Sequence, residues 1–206
     1  MFSSPLLRRV IVLGFVYCSL LSTTSRVSAN GRYLVRQTTT ADCGPAALAT
    51  LLNYYLDTPT SEQEIARLSG ANQYGTTFAG LEYAAEAKGA GADSFRMTLT
   101  TLRQQLEAYP APLLVRLLLP QPHFVLVLGI DGDTVLMADP GSNNVMMPQK
   151  AFLQRWLVPG SDEGYVFVAA RADGRTNVAR RDQIVTELRQ GKQQLATQRL
   201  SPAMRR

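Results

Sequence analysis

A chain of 206 residues with 46% apolar and 8% aromatic content carries enough hydrophobic side chain for one ordinary globular core and falls short of a comfortable two-domain length. Its net charge of +5 would suit a nucleic-acid or anionic-membrane partner, but the excess is unevenly placed. Residues 1–29 carry three Arg, residues 171–206 carry nine Lys or Arg against three acids, and the body between holds nine bases against thirteen acids, a net of −4. The basic character belongs to the ends, nothing in the body points to nucleic acid, and no G-x-x-x-x-G-K-[ST] loop points to ATP.

Arg8 and Arg9 precede an apolar run over 10–21, followed by polar residues and Val-Ser-Ala at 27–29. That order is a secretory signal pattern. The run is shorter than the ~20 residues a spanning helix needs, so cleavage after Ala29 and export to the periplasm or exterior are expected, with an uncleaved anchor as the alternative. Cys18 would leave with the signal, and bulky Tyr17 before it argues against a lipid-modified cysteine. The mature chain then keeps one thiol, Cys43, in a compartment that oxidises thiols, and no internal disulfide is available to it.

Over residues 30–172 the apolar pattern is first helical. Pro45 suits a first turn, where its missing N–H costs nothing, and AALATLLNYYL at 46–56 follows at helical spacing. Cys43 therefore stands at or just before a helix N-terminus. Short helices are expected at 61–69, capped by Ser61 with Glu64 at capping-box spacing, at 78–88 and at 100–108. The period then changes, and 112–119, 123–130, 134–138 and 165–170 are apolar or β-branched runs of strand length. Helices first and strands second predict an α+β fold, with an N-terminal helical half packed on an antiparallel sheet. Residues 173–206 form a basic tail. Ile184, Val185, Leu188 and Leu195 suggest part of it is helical, but Gly191 interrupts the pattern, so the tail reads as a mobile or partner-seeking extension.

The chemistry concentrates in QTTTADCGPAAL, residues 37–48. Unpaired N–H groups and a partial positive charge at a helix N-terminus favour thiolate over thiol, which makes a Cys there a better nucleophile. A lone Cys also serves as a small buried hydrophobe, and only a nearby base separates the two readings. His123, the sole histidine, is the one candidate. It opens HFVLVLGI, and Asp139 closes TVLMAD, with Asp131, Gly132 and Asp133 as a turn signal between them.

Loop parity decides whether these two side chains meet. A three-residue loop at 131–133 puts His123 opposite Gly141 and Asp139 opposite Val125, so the pair share a face as diagonal neighbours ~7–8 Å apart in backbone terms. A two-residue loop sends them to opposite faces, and the sequence permits both. If they meet, Asp139 accepts from one ring nitrogen and leaves the other for Cys43; otherwise Asp139 is a turn residue before Pro140. Gln37 is either a solvated loop residue or an amide donor that joins the Cys43 backbone N–H in an oxyanion hole. Asp42 reads as a local cap or turn former. One Cys and one His cannot make a zinc set, and no carboxylate spacing suits calcium, so neither metal nor other cofactor is expected.

Gln37, the run Asp42-Cys43-Gly44-Pro45-Ala46-Ala47-Leu48, the run His123-Phe124-Val125-Leu126-Val127 and the pair Asp139-Pro140 together resemble the C39 peptidases, the bacteriocin-processing family of papain-like cysteine proteases. Gly75-Thr76-Thr77, Gly80-Leu81 and AAEAKG at 84–89 are similar to that family's second helical segment, and Phe152 and Trp156 sit where a late Phe and Trp follow the Asp. The resemblance covers residues 31–170. It implies a papain-like fold with Cys43 as nucleophile, His123 as base and acid, Asp139 as orienter and Gln37 in the oxyanion hole.

The best-known C39 members are N-terminal domains of ABC exporters that trim leader peptides after a Gly-Gly pair. Here neither membrane spans nor an ATPase are evident, and the chain is more similar to free-standing C39 proteins with signal peptides, some of which accompany secretion systems for functional amyloid or other surface proteins. The resemblance thus implies a cysteine endopeptidase acting on a polypeptide substrate, either a Gly-Gly leader or an exported surface protein, in association with a secretion system. Two alternatives stand beside it. One is a catalytically silent C39-like module that binds or chaperones an exported polypeptide; the other is acyl transfer or amide hydrolysis on a non-peptide substrate by the same residues.

Overall fold

The computed structural model describes residues 32–200, with side chains to Gln194. The signal segment expected at 1–29 lies outside the described residues. From Arg32 an extended segment leads into α1 (Cys43–Thr50), which continues as a π-helical turn at Leu51–Tyr55, and α2 (Glu62–Leu68) and α3 (Phe78–Ala87) follow. The chain then runs through β1 (Ala90–Thr98), α4 (Leu99–Ala108), β2 (Leu113–Leu117), β3 (His123–Asp131), β4 (Thr134–Ala138) and β5 (Asn144–Pro148). It ends with α5 (Gln149–Trp156), β6 (Glu163–Arg171) and α6 (Val178–Leu200).

The four expected helices and four expected strands are present, and the fold is the α+β arrangement of helices on an antiparallel sheet. Their starts follow local chemistry. Ser61, Thr77 and Thr98 each accept a hydrogen bond from the backbone N–H three residues on, which caps α2, α3 and α4. Three elements go beyond the sequence expectation. β1 and β5 are the two edge strands, where sparse apolar residues and Pro148 weaken the strand pattern, and α5 buries only Phe152 and Trp156.

The sheet order is β1-β6-β2-β3-β4-β5, with every pairing antiparallel. The sheet is covered on both faces. Leu114, Leu126, Leu136 and Phe167 pack with the buried residues of α1, α3 and α6, while Val115, Val125, Val127 and Val135 pack with Leu102, Phe152 and Trp156 of α4 and α5. The central strands are therefore apolar at almost every position, which explains their unbroken hydrophobic runs.

The tail expected to be a mobile extension differs in the structure. α6 passes straight through Gly191, and Ile184, Val185 and Leu188 are buried in the same cluster as α1. Three of its cations bond to the domain: Arg180 donates to the Tyr54 carbonyl at 2.9 Å, Arg181 to the carbonyls of Leu106 and Tyr109 at 3.0 and 2.9 Å, and Lys192 to the Asp131 carbonyl at 3.1 Å. A glycine costs a helix only about 1 kcal/mol relative to alanine, less than burial of three aliphatic side chains returns. Ile184→Ala is accordingly expected to lower folding stability by ~2–5 kcal/mol. Urea unfolding checks this, and an unchanged midpoint would mean that α6 lies outside the cooperative core.

Candidate active site

The hairpin that carries His123 and Asp139 has a two-residue loop, since Asp131 pairs with Thr134. Gly132 takes φ 61° at the first loop position, where a side chain would be strained. Loop parity alone would separate His123 from Asp139. A β-bulge reverses it: Gly129 pairs with Leu136, yet Val127 pairs with Met137 and Leu126 with Ala138, so Leu128 is an extra residue on β3. Beyond the bulge the register is the one expected from a three-residue loop, reached by a different route. The His123 Nε2 lies 2.7 Å from Asp139 Oδ1, and the same oxygen accepts from the Gly141 N–H at 2.8 Å.

Cys43 is the first residue of α1, as expected, and is a free thiol only 6% exposed. Asp42 does not cap the helix with its side chain; its carboxylate instead accepts from the N–H and hydroxyl of Thr39 at 3.0 and 2.7 Å and closes the 39–42 turn. Gly44 explains how α1 seats so low on the sheet. A Cβ there would stand 2.4 Å from Thr76 Cγ2 and 3.1 Å from the Phe124 ring, so only glycine lets the helix start approach both. This places the thiol against the backbone N–H of Phe124 and the ring of His123.

Asp139 engages Nε2, so the ring's other nitrogen is the one left for the sulfur. Burial pushes the Cys43 thiol up, but the hydrogen bond and charge of His123, with the Phe124 and Gly44 N–H groups, outweigh it and hold the pKa below 9.0. Burial likewise pushes His123 down, and the hydrogen bonds and charges of Asp139 and Cys43 overcome it and raise the ring to about 9. For Asp139, burial is outweighed by His123 and by the Gly141 and Ser142 donors, which keep the carboxyl below 3.8. All three shifts favour one state, a thiolate facing an imidazolium backed by a carboxylate.

Gln37 is tied to the same corner, its N–H donating to the Pro140 carbonyl at 3.1 Å. Its Nε2 donates to the Thr39 carbonyl at 2.9 Å, which leaves the second amide hydrogen available, and its Oε1 is buried with no partner among the described residues. Next to it, the N–H and hydroxyl of Thr38 both donate to the buried Glu62 carboxylate, a tether the sequence reading missed. A cavity of about 210 Å³ borders Gln37, Thr40 and His123. A larger groove of about 680 Å³ runs along α5 beside Leu153 and Leu157 and touches none of the four candidate residues.

The model of the Peptidase C39 family matches residues 32–160, more than half of the chain. The chain belongs to this family. An uncharacterized protein of Methanothermobacter marburgensis is 37% identical over 119 residues, covering 58% of this chain and 79% of that protein. LagD of Lactococcus lactis subsp. lactis, a lactococcin-G-processing and transport ATP-binding protein, is 28% identical over 125 residues, covering 60% of this chain but only 17% of the transporter. Among solved structures, the peptidase domain of ComA, a bifunctional ABC transporter of Streptococcus, superposes with TM-score 0.56 at 26% identity, over 67% of this chain and 97% of that domain. The fold is thus that of papain-like C39 peptidase domains.

In this C39 domain the same pKa shifts tie stability to pH. His123 holds its proton more tightly when folded, so its contribution is full below the ordinary value of 6.5 and is lost as pH rises through about 9. Asp139 works in the opposite sense, contributing above 3.8 and losing the contribution as pH falls through its lower folded value. An ordinary thiol is almost wholly protonated at pH 6. Iodoacetamide at pH 6 is therefore expected to alkylate Cys43 readily, and His123→Ala to slow that reaction by about tenfold or more. Equal alkylation rates followed by mass spectrometry would show that the ring does not activate the sulfur.

Proposed function

We propose that the protein is a cysteine endopeptidase of the C39 type. Cys43 attacks the substrate carbonyl as thiolate, His123 protonates the departing amine and then activates water, and Asp139 holds the ring in the tautomer that faces the sulfur. The Cys43 backbone N–H, at the free start of α1, and the spare amide hydrogen of Gln37 stabilise the oxyanion of the tetrahedral intermediate. The observation that carries this reading is the bulge-dependent 2.7 Å contact between His123 and Asp139 at the start of β3, beside the Cys43 thiol. No metal or organic cofactor takes part in the proposed steps.

The substrate we propose is a polypeptide bound for export, either a leader peptide or a surface protein. The processing and transport role in the name of LagD supports that choice, and the order of charges and apolar residues over 1–29 supports export of the enzyme itself, to periplasm or exterior, in association with a secretion system. In this reading residues 30–172 are the peptidase domain.

Cys43→Ala is expected to abolish cleavage of polypeptides that the wild-type protein cuts, a loss of at least about a thousandfold in rate. The check is product mass spectrometry on peptides encoded beside this chain's own reading frame. Undiminished cleavage by Cys43→Ala would place the activity elsewhere and end the proposal.

A further inference from the structure

The cavity beside His123 contains a charge that the thiol chemistry does not use. Gln37, Thr40, Pro120, Pro122 and His123 line it together with Arg155 of α5, an exposed residue. No carboxylate lines it, and the Arg155 guanidinium has no acidic partner among the described residues. Arg36, Arg67, Arg103 and Arg116 also lack an acidic partner among the described residues, but of these five arginines only Arg155 lines the cavity beside His123. The position of Arg155 is fixed from below: Phe152 and Trp156 anchor α5 in the core, and the Arg155 carbonyl accepts from the N–H groups of Leu118 and Leu119.

The side of the scissile bond that this cavity serves follows from the proton transfer. His123 must deliver a proton to the departing amine, so the chain that follows the cut bond leaves across the imidazole, and the imidazole lines this cavity. A volume of about 210 Å³ accepts one or two residues rather than a long segment. An arginine without an acidic partner that lines the same cavity as the imidazole suits a carboxylate, which a guanidinium can grip through two parallel hydrogen bonds.

We propose that the cavity between His123 and Arg155 is the leaving-group subsite, and that Arg155 selects substrates with a carboxylate within two residues after the cleaved bond. This rests on the thiol-peptidase reading above. The carboxylate has two sources, an acidic side chain or the end of a short chain, and Arg155 reads the chemistry they share. Arg155 is a specificity determinant here and takes no part in acylation.

An acyl-transfer assay tests this without the natural substrate. The p-nitrophenyl ester of N-acetylglycylglycine acylates the full chain: the Cys43 sulfur bonds to the carbonyl carbon, the ester C–O bond breaks, and p-nitrophenolate leaves. With the thiolate consumed, His123 gives its proton to the buffer; an added amine then attacks the thioester, forming an amide bond and breaking the C–S bond, while its proton passes to His123 and the thiolate is restored. Four amines compete with water: Gly-Asp-amide with a side-chain carboxylate, Gly-Gly with a terminal one, neutral Gly-Gly-amide and cationic Gly-Lys-amide.

Mass-resolved chromatography reads the ratio of amide to hydrolysis product, with Cys43→Ala subtracted as background. At least one of the two carboxylate amines is expected to be captured about fivefold better than the neutral and cationic ones, and which of them wins names the source. Arg155→Ala should erase that preference and Arg155→Glu turn it toward Gly-Lys-amide, with nitrophenolate release unchanged in both. Normal nitrophenolate release with the same product ratios in wild type and both variants would overturn the subsite while leaving the peptidase reading intact. No release above the Cys43→Ala background would overturn the peptidase reading and the subsite with it.

Discussion

The contact between His123 and Asp139 depends on a single extra residue in a strand. The hairpin loop between them has the parity that would point one side chain to each face of the sheet, and the bulge at Leu128 changes that parity before β3 reaches His123. Leu128 is itself fully buried on the helical face with Leu126 and Leu136, so the extra residue is packed into the core rather than looped out. Remove it and the imidazole would lose its carboxylate, and with it the bias that sets the ring's tautomer. The candidate site is in that sense a consequence of core packing some distance from the thiol.

Two helices packed on the same face of the sheet hold that arrangement. α6 lies against the bulge: Val185 Cγ2 would be 3.7 Å from a Cβ at Gly129, and Arg189 and Lys192 pair with Asp131 at the hairpin end. α1 brings the thiol down to the other end of β3, which only a glycine after Cys43 permits. There, a sulfur and a ring that burial alone would push toward their neutral forms are drawn toward the charged ones by each other and by Asp139. The electrostatic gain requires that all three side chains be in place, so the packing of α1 and α6 on that face bears on the chemistry.

How much of this was legible in the sequence differs by element. Cys43, His123 and Gln37 stand out because each is rare or oddly placed for its type, and Pro45 marks the helix start that gives Cys43 its setting. The resemblance to C39 peptidases rests on those same residues, and the family match over 32–160 bears it out. The bulge was not legible. HFVLVLGI is apolar at nearly every position because both faces of β3 are covered, and without alternation there is no pattern to show where a residue has been inserted. The docking of α6 was obscured by Gly191, whose local cost is real but smaller than what Ile184, Val185 and Leu188 gain by burial. The anchoring of Thr38 by Glu62 joins residues twenty-four positions apart and leaves no local signal at all.

Because the chain has one histidine, the ionisation of the site can be followed on a single ring. Nuclear magnetic resonance of the His123 imidazole through a pH titration tests the account most directly. The ring is predicted to stay protonated until about pH 9 in the native protein and to titrate nearer the ordinary 6.5 in Asp139→Asn. A native midpoint near 6.5 that does not move when Asp139 is replaced would contradict it, since the imidazole would then be coupled to neither the carboxylate nor the thiol.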